Sequence, residues 1–94
     1  MIDIRVNPGR SVSITGHAGY AAKGSDIVCA AVSALFQTMC LADGIGFYDN
    51  GEEKRALAVR PGSEEIMRVF CRGLEQIAKQ YPTFCRYQRE RDEL

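Results

Sequence analysis

Ile2-Asp3-Ile4-Arg5-Val6-Asn7-Pro8-Gly9-Arg10-Ser11-Val12-Ser13-Ile14-Thr15 is the stretch whose reading decides the fold. Ile2, Ile4 and Val6 alternate with Asp3, Arg5 and Asn7. Val12 and Ile14 repeat the alternation between Ser11, Ser13 and Thr15. A period of two belongs to a strand with one buried face. Between the runs, Pro8 presets φ and Gly9 supplies a positive φ, so residues 1–16 read as a β-hairpin. Its turn is open between type II, which Pro-Gly suits, and the primed types that short hairpins prefer.

Outward from the hairpin, Gly16-His17-Ala18-Gly19-Tyr20-Ala21-Ala22-Lys23-Gly24 reads as a glycine-punctuated loop. Ser25 or Asp26 then caps a helix start. Val28, Ala31, Val32, Leu35 and Met39 follow at the spacing of a buried helical stripe, ended by Asp43-Gly44. Two more strands are predicted at Ile45 to Tyr48 and Ala56 to Val59, joined across Asn50-Gly51 and the charged Glu52 to Arg55. Pro61-Gly62 breaks the chain, and Ser63-Glu64-Glu65 opens a second helix with acids where the dipole favours them. Ile66, Val69, Phe70, Leu74, Ile77 and Tyr81 form its apolar stripe, and Pro82 stops it. Phe84 to Tyr87 reads as a last strand, and the charged tail from Arg89 to Leu94 is expected to fray. The order is ββαββαβ, an α+β domain spanning residues 1–94 in two layers, two helices packed on a sheet of about five strands.

The 94 residues fit one domain with one modest core, and 46% hydrophobic against 26% charged residues is ordinary globular composition. Twelve Lys plus Arg balance twelve Asp plus Glu. Direct nucleic-acid binding is not expected of a chain without net positive charge, nor is a polybasic membrane patch. No apolar run approaches the ~18 residues that span a bilayer. Cys29, Cys40, Cys71 and Cys85 contain no C-x-x-C pair, and His17 is the only imidazole, so neither a metal site nor a cofactor is expected. The N-terminus carries no apolar signal region, which points to the cytoplasm and reduced thiols.

Chemistry concentrates at the loop and the first helix. Cys29, three residues after Asp26, falls in the first turn of the predicted helix, where free N–H groups and the dipole stabilise a thiolate. A glycine-rich loop can fold His17 back onto it, giving a Cys–His pair in which His17 acts as base and then as acid. The N–H groups of Cys29 and Ala30 are then natural oxyanion donors. Set against this, a cysteine in Val28-Cys29-Ala30-Ala31 is commonly a small core residue, and a lone His after a strand commonly caps a turn. Cys40, Cys71 and Cys85 read as core thiols. Asp26 is open between a helix cap and a residue that orients His17. Ser33, one turn after Cys29, reads as a polar support. Gly16, Gly19 and Gly24 bracket a mobile lid, and Tyr20 either touches substrate or covers the core. Gly19 to Gly24 has the spacing G-x-x-x-x-G, but Ser25 stands where a phosphate loop needs Lys.

Gly16-His17-Ala18 followed by Asp26-Ile27-Val28-Cys29-Ala30-Ala31-Val32-Ser33 closely resembles the ribosomal-processing cysteine proteases (Prp), and the resemblance extends through the hairpin, both helices and Tyr81-Pro82. It implies Cys29 as nucleophile and His17 as its base. It also implies a homodimer and a flexible loop over residues 18–25. The implied substrate is a precursor ribosomal protein, number twenty-seven of the large subunit. Its short N-terminal extension is removed just after an aromatic pair. Gly24-Ser25 lacks the basic residue often found before the Asp, which bears on loop closure. The alternative from another class is a non-catalytic ribosome-associated α+β binding module, with salt-sensitive RNA binding and no reactive thiol.

Overall fold

The computed structural model describes residues 1–16 and 23–90, with the side chains of the first helix described from Ile27 onward. Strands β1 (Ile2–Asn7) and β2 (Ser11–Thr15) form the expected hairpin, with Ile4 opposite Ile14. The Arg10 N–H donates to the Asn7 carbonyl at 2.9 Å, and Gly9 has φ of 76°. With Pro8 before it, this resolves the turn as type II. Helix α1 (Lys23–Cys40) leads to β3 (Ile45–Asp49), and β4 (Glu53–Ala58) leads through α2 (Ser63–Gln80) to β5 (Cys85–Arg89).

The sheet runs β3-β4-β2-β1-β5, antiparallel except where β1 and β5 lie parallel. Each helix therefore joins two parallel strands, α1 carrying the chain from β2 to β3 and α2 from β4 to β5. The two crossovers travel in opposite directions from strands that point in opposite directions. Right-handed connections consequently place both helices on one face. The sequence-predicted α+β arrangement in two layers is the one observed.

Ile2, Ile4, Val6, Val12, Ile14, Ile45, Ala56 and Cys85 meet the helices from the sheet, and all are buried. From α1 they receive Val28, Val32, Phe36 and Met39; from α2, Met67, Cys71, Leu74 and Ala78. Phe36 lies on the buried row although the predicted stripe omitted it, and Ala31 and Leu35 are only half-buried. In α2 the buried face is rotated from the predicted one. Val69 is 64% exposed and Tyr81 lies at the surface, whereas Met67, Cys71 and Ala78 face the sheet. The larger Ile66, Phe70 and Ile77 occupy a half-buried flank. There Gly73 meets Leu35 of α1: a side chain on Gly73 would lie 3.1 Å from a Leu35 methyl. Met67, Cys71, Leu74 and Ala78 thus form the row under the helix, and Ile66, Phe70 and Ile77 lie beside it, towards α1.

Three boundaries differ from expectation. The charged residues Glu53 to Arg55 belong to β4 and Val59 does not, because alternation sends Glu53 and Arg55 to the helix-free face, where they pair at 2.8 Å. Arg89 is ordered in β5, opposite Val6, and the Glu90 N–H donates to the Val6 carbonyl at 2.7 Å. The rest of the charged tail lies outside the described residues. Helix α1 begins at Lys23, before the expected Ser25 or Asp26. An acid in the first turn suits the dipole as well as a cap does, so the sequence marks this end only to within a few residues.

Candidate active site

The earlier start of α1 changes the setting of Cys29. Six residues separate it from Lys23, which places it in the second turn. Only the first four N–H groups of a helix lack an intrahelical acceptor. The N–H groups of Cys29 and Ala30 are therefore committed to the helix, and the expected first-turn oxyanion donors are not there. Ala30 is exposed.

What Cys29 does have is a cavity. A space of about 110 Å³ opens between α1, the start of β1, the end of β2 and the β3–β4 turn. Cys29 and Ser33 reach it from α1, Ile2 and Ile14 floor it, and Glu52 and Lys54 close the far wall. Ser33 is half-buried, one helical turn after Cys29. The wall is built by the turn: the Asn50 carboxamide oxygen accepts from the N–H groups of Glu52 and Glu53 at 2.9 and 2.8 Å. Lys54 stands opposite Ile14 and shares its inward face, with 23% of its side chain exposed and Asp49 3.9 Å away. Gly16 completes the rim with φ of 82°. A side chain there would collide with the Met1 carbonyl oxygen, so glycine is required twice over.

His17, Gly19 and Tyr20 lie outside the described residues. So does most of the expected 18–25 loop, of which Lys23, Gly24 and Ser25 belong to the start of α1. Asp26 is likewise placed by backbone alone, three residues after Lys23. Glu52 and Lys54 are the site residues that sequence reasoning passed over. A lysine at an inward position of an alternating strand, between the hairpin turn and buried Ala56, was the available signal.

All four cysteines are free thiols. Burial pushes Cys71 up to about 11. Cys40 reaches about 11 through burial, with the Asp49 carboxylate adding to it. Cys85 is raised by burial first, then by Asp3 and by Cys29. These three are held as thiols, in keeping with core roles. Among the described residues no cluster of three His, Cys, Asp or Glu side chains could hold a metal ion, and no helix is long and apolar enough to cross a membrane.

The family model for the cysteine protease Prp matches residues 1–86. The chain belongs to the Prp family of cysteine proteases. A search among curated proteins finds no match. Solved structures with the same fold include a Streptococcus mutans protein, 26% identical, with a TM-score of 0.70 over 94% of this chain and 90% of that one. The essential ribosomal processing protease Prp of Staphylococcus aureus, in complex with a covalently linked product peptide, is 26% identical with a TM-score of 0.71. That alignment covers 95% of this chain and 97% of the other. The Staphylococcus aureus enzyme with a substrate peptide aligns at 24% identity and a TM-score of 0.71, over 95% of this chain and 97% of the other, and speaks for the fold alone. The Prp membership makes the chain a cysteine protease, and the non-catalytic module is set aside.

Proposed function

We propose that this protease cuts the N-terminal extension from ribosomal protein number twenty-seven of the large subunit, with Cys29 as nucleophile and His17 as general base. The observation that carries the reading is the Cys29 thiol on the wall of an open cavity, in a chain of a cysteine protease family whose other thiols are held protonated by burial. Support for His17 is its covalent attachment to Gly16, which lines the same cavity. The covalent product peptide on the Staphylococcus aureus relative supports an acyl-enzyme route and a peptide substrate.

In this mechanism His17 takes the Cys29 proton, the thiolate attacks the scissile carbonyl, and His17 returns the proton to the departing amine. Water then attacks the thioester while His17 accepts its proton; the C–S bond breaks, the free acid leaves, and His17 returns the proton to the Cys29 sulfur. The oxyanion needs a donor other than the committed N–H groups of α1. Lys54 is the cation on the cavity wall, and it faces the developing charge. Asp26 orients His17 in the same scheme, Ser33 supports the thiol, and Gly16, Gly19, Tyr20 and Gly24 contact the peptide. The enzyme acts as a homodimer, as the family resemblance implies, and in the cytoplasm, where its thiols stay reduced.

The deciding experiment incubates purified protein with the precursor ribosomal protein and reads the products by mass spectrometry. The expected result is one cut after the aromatic pair, abolished by Cys29→Ala and by His17→Ala. Turnover by Cys29→Ala, or an uncut precursor with active wild type on other peptides, overturns the assignment.

A further inference from the structure

The β1–β2 turn closes the end of the hairpin remote from Cys29, and beside it lies a second cavity of about 120 Å³. Arg68, Arg72 and Arg89 line it together with Glu75, Tyr87 and the Gly9 backbone. Three arginines thus line it with one acid, Glu75, in a chain whose formal charges cancel. The cluster is built into the fold. Arg68 lies across Gly9, where a side chain would approach its guanidinium to 2.7 Å, and Glu65 steadies it at 3.3 Å. Arg72 follows one helical turn later, and Arg89 enters from β5 at the register position of Val6.

The pairing of these arginines sets them apart. Arg5, Arg55, Arg60, Arg68 and Arg86 each hold a carboxylate at 2.8–3.6 Å. Arg72 and Arg89 hold none among the described residues, although both border the same cavity. Tyr87 lines the same cavity, its hydroxyl pushed up to about 12 by burial, with Cys71 and Glu75 adding to it and Arg89 and Arg72 opposing. It is a neutral donor at any physiological pH. A guanidinium fork matches two oxygens of a tetrahedral oxyanion, and paired forks from a helix and a strand clamp it from two sides.

We propose that this cleft binds a phosphate-type oxyanion between Arg72 and Arg89, with Arg68 at the turn and the Tyr87 hydroxyl as a further donor. The cavity has the size of one phosphate group and opens to solvent, so anything attached to that group lies outside it. The group enters as free phosphate or as a phosphate projecting from a nucleic-acid backbone. This site is independent of the proteolytic reading.

The test follows the arginine Nε–H resonances of the intact protein through a millimolar titration with inorganic phosphate, against sodium chloride at matched ionic strength. Saturable shifts at Arg72 and Arg89 with phosphate, absent with chloride, are expected. Arg72→Gln with Arg89→Gln lowers the phosphate affinity about tenfold or more at unchanged melting temperature. Glu75→Gln, which removes the opposing charge, raises it. Displacement of phosphate by a single-stranded oligonucleotide assigns the source to a nucleic-acid backbone, and no displacement assigns it to free phosphate. Shifts equal to those with chloride, no saturation with either ligand, or undiminished binding by the double variant overturns the site.

Discussion

Alkylation of the folded protein with iodoacetamide separates the four thiols on grounds that can be worked through. Cys40 and Cys71 titrate near 11 in place of the ordinary 9.0. At pH 8 that takes the thiolate from about 10% to about 0.1% of the thiol, roughly a hundredfold loss. The more basic thiolate is the better nucleophile, and a Brønsted slope of roughly 0.4–0.5 returns about eightfold of it. Charge alone therefore slows both residues about tenfold. Cys71, only 4% exposed, is slowed further because the reagent must wait for an opening of the fold, whereas half-buried Cys40 shows the charge effect with less shielding. Cys29 lies on an open cavity and is modified first. The assay is mass spectrometry of peptides sampled over time, with urea-unfolded protein as the reference in which all four sites react alike. Modification of Cys40 or Cys71 as fast as Cys29 in the folded protein refutes both the burial argument and the choice of nucleophile.

The rotated face of α2 makes Leu74 and Val69 unequal although both sit on the predicted stripe: Leu74→Ala costs about 2–5 kcal/mol by urea denaturation, and Val69→Ala stays within about 0.5 kcal/mol. Gly16→Ala forces a left-handed residue against the Met1 carbonyl and lowers stability by about 1–2 kcal/mol or more, read as a shift in the urea midpoint. Alkali weakens the fold. Groups whose folded pKa is raised stabilise fully below their unfolded value and lose that contribution as pH climbs to the folded one. Stability therefore falls from about pH 9 to 11 through Cys71 and Cys40, and on towards 12 through Tyr87. Tyr87→Phe flattens the upper part of the decline, measured by urea midpoints across that range.

The hairpin, both helices and the two-layer order were legible because alternation and helical spacing report directly which side of an element meets the core. The face of α2 was misread for a physical reason. Ile66, Phe70 and Ile77 are strongly apolar, but α2 packs against α1 as well as the sheet. Part of its apolar stripe therefore lies on the flank where Gly73 meets Leu35, and the row facing the sheet is Met67, Cys71, Leu74 and Ala78. The site divides in the same way. Cys29 and Ser33 could be found from local spacing, since both lie on one helix. Glu52 and Lys54 reach the cavity from a hairpin about twenty residues downstream in the chain, and only the pairing of β4 with β2 brings them there.

The parallel pairing of β1 with β5 carries a consequence for the order of assembly. Ile2 sits opposite Cys85, so the first strand made waits for the last one before the sheet is complete. Contacts this distant in sequence form slowly, and the β2–β4 contacts, closer in the chain, can form before them. Ile2 is also part of the floor beneath Cys29. A chain lacking β5 leaves that floor without its lateral support, so the cavity at Cys29 forms only once β5 has docked. The floor beneath Cys29 is thereby tied to the docking of β5 beside β1.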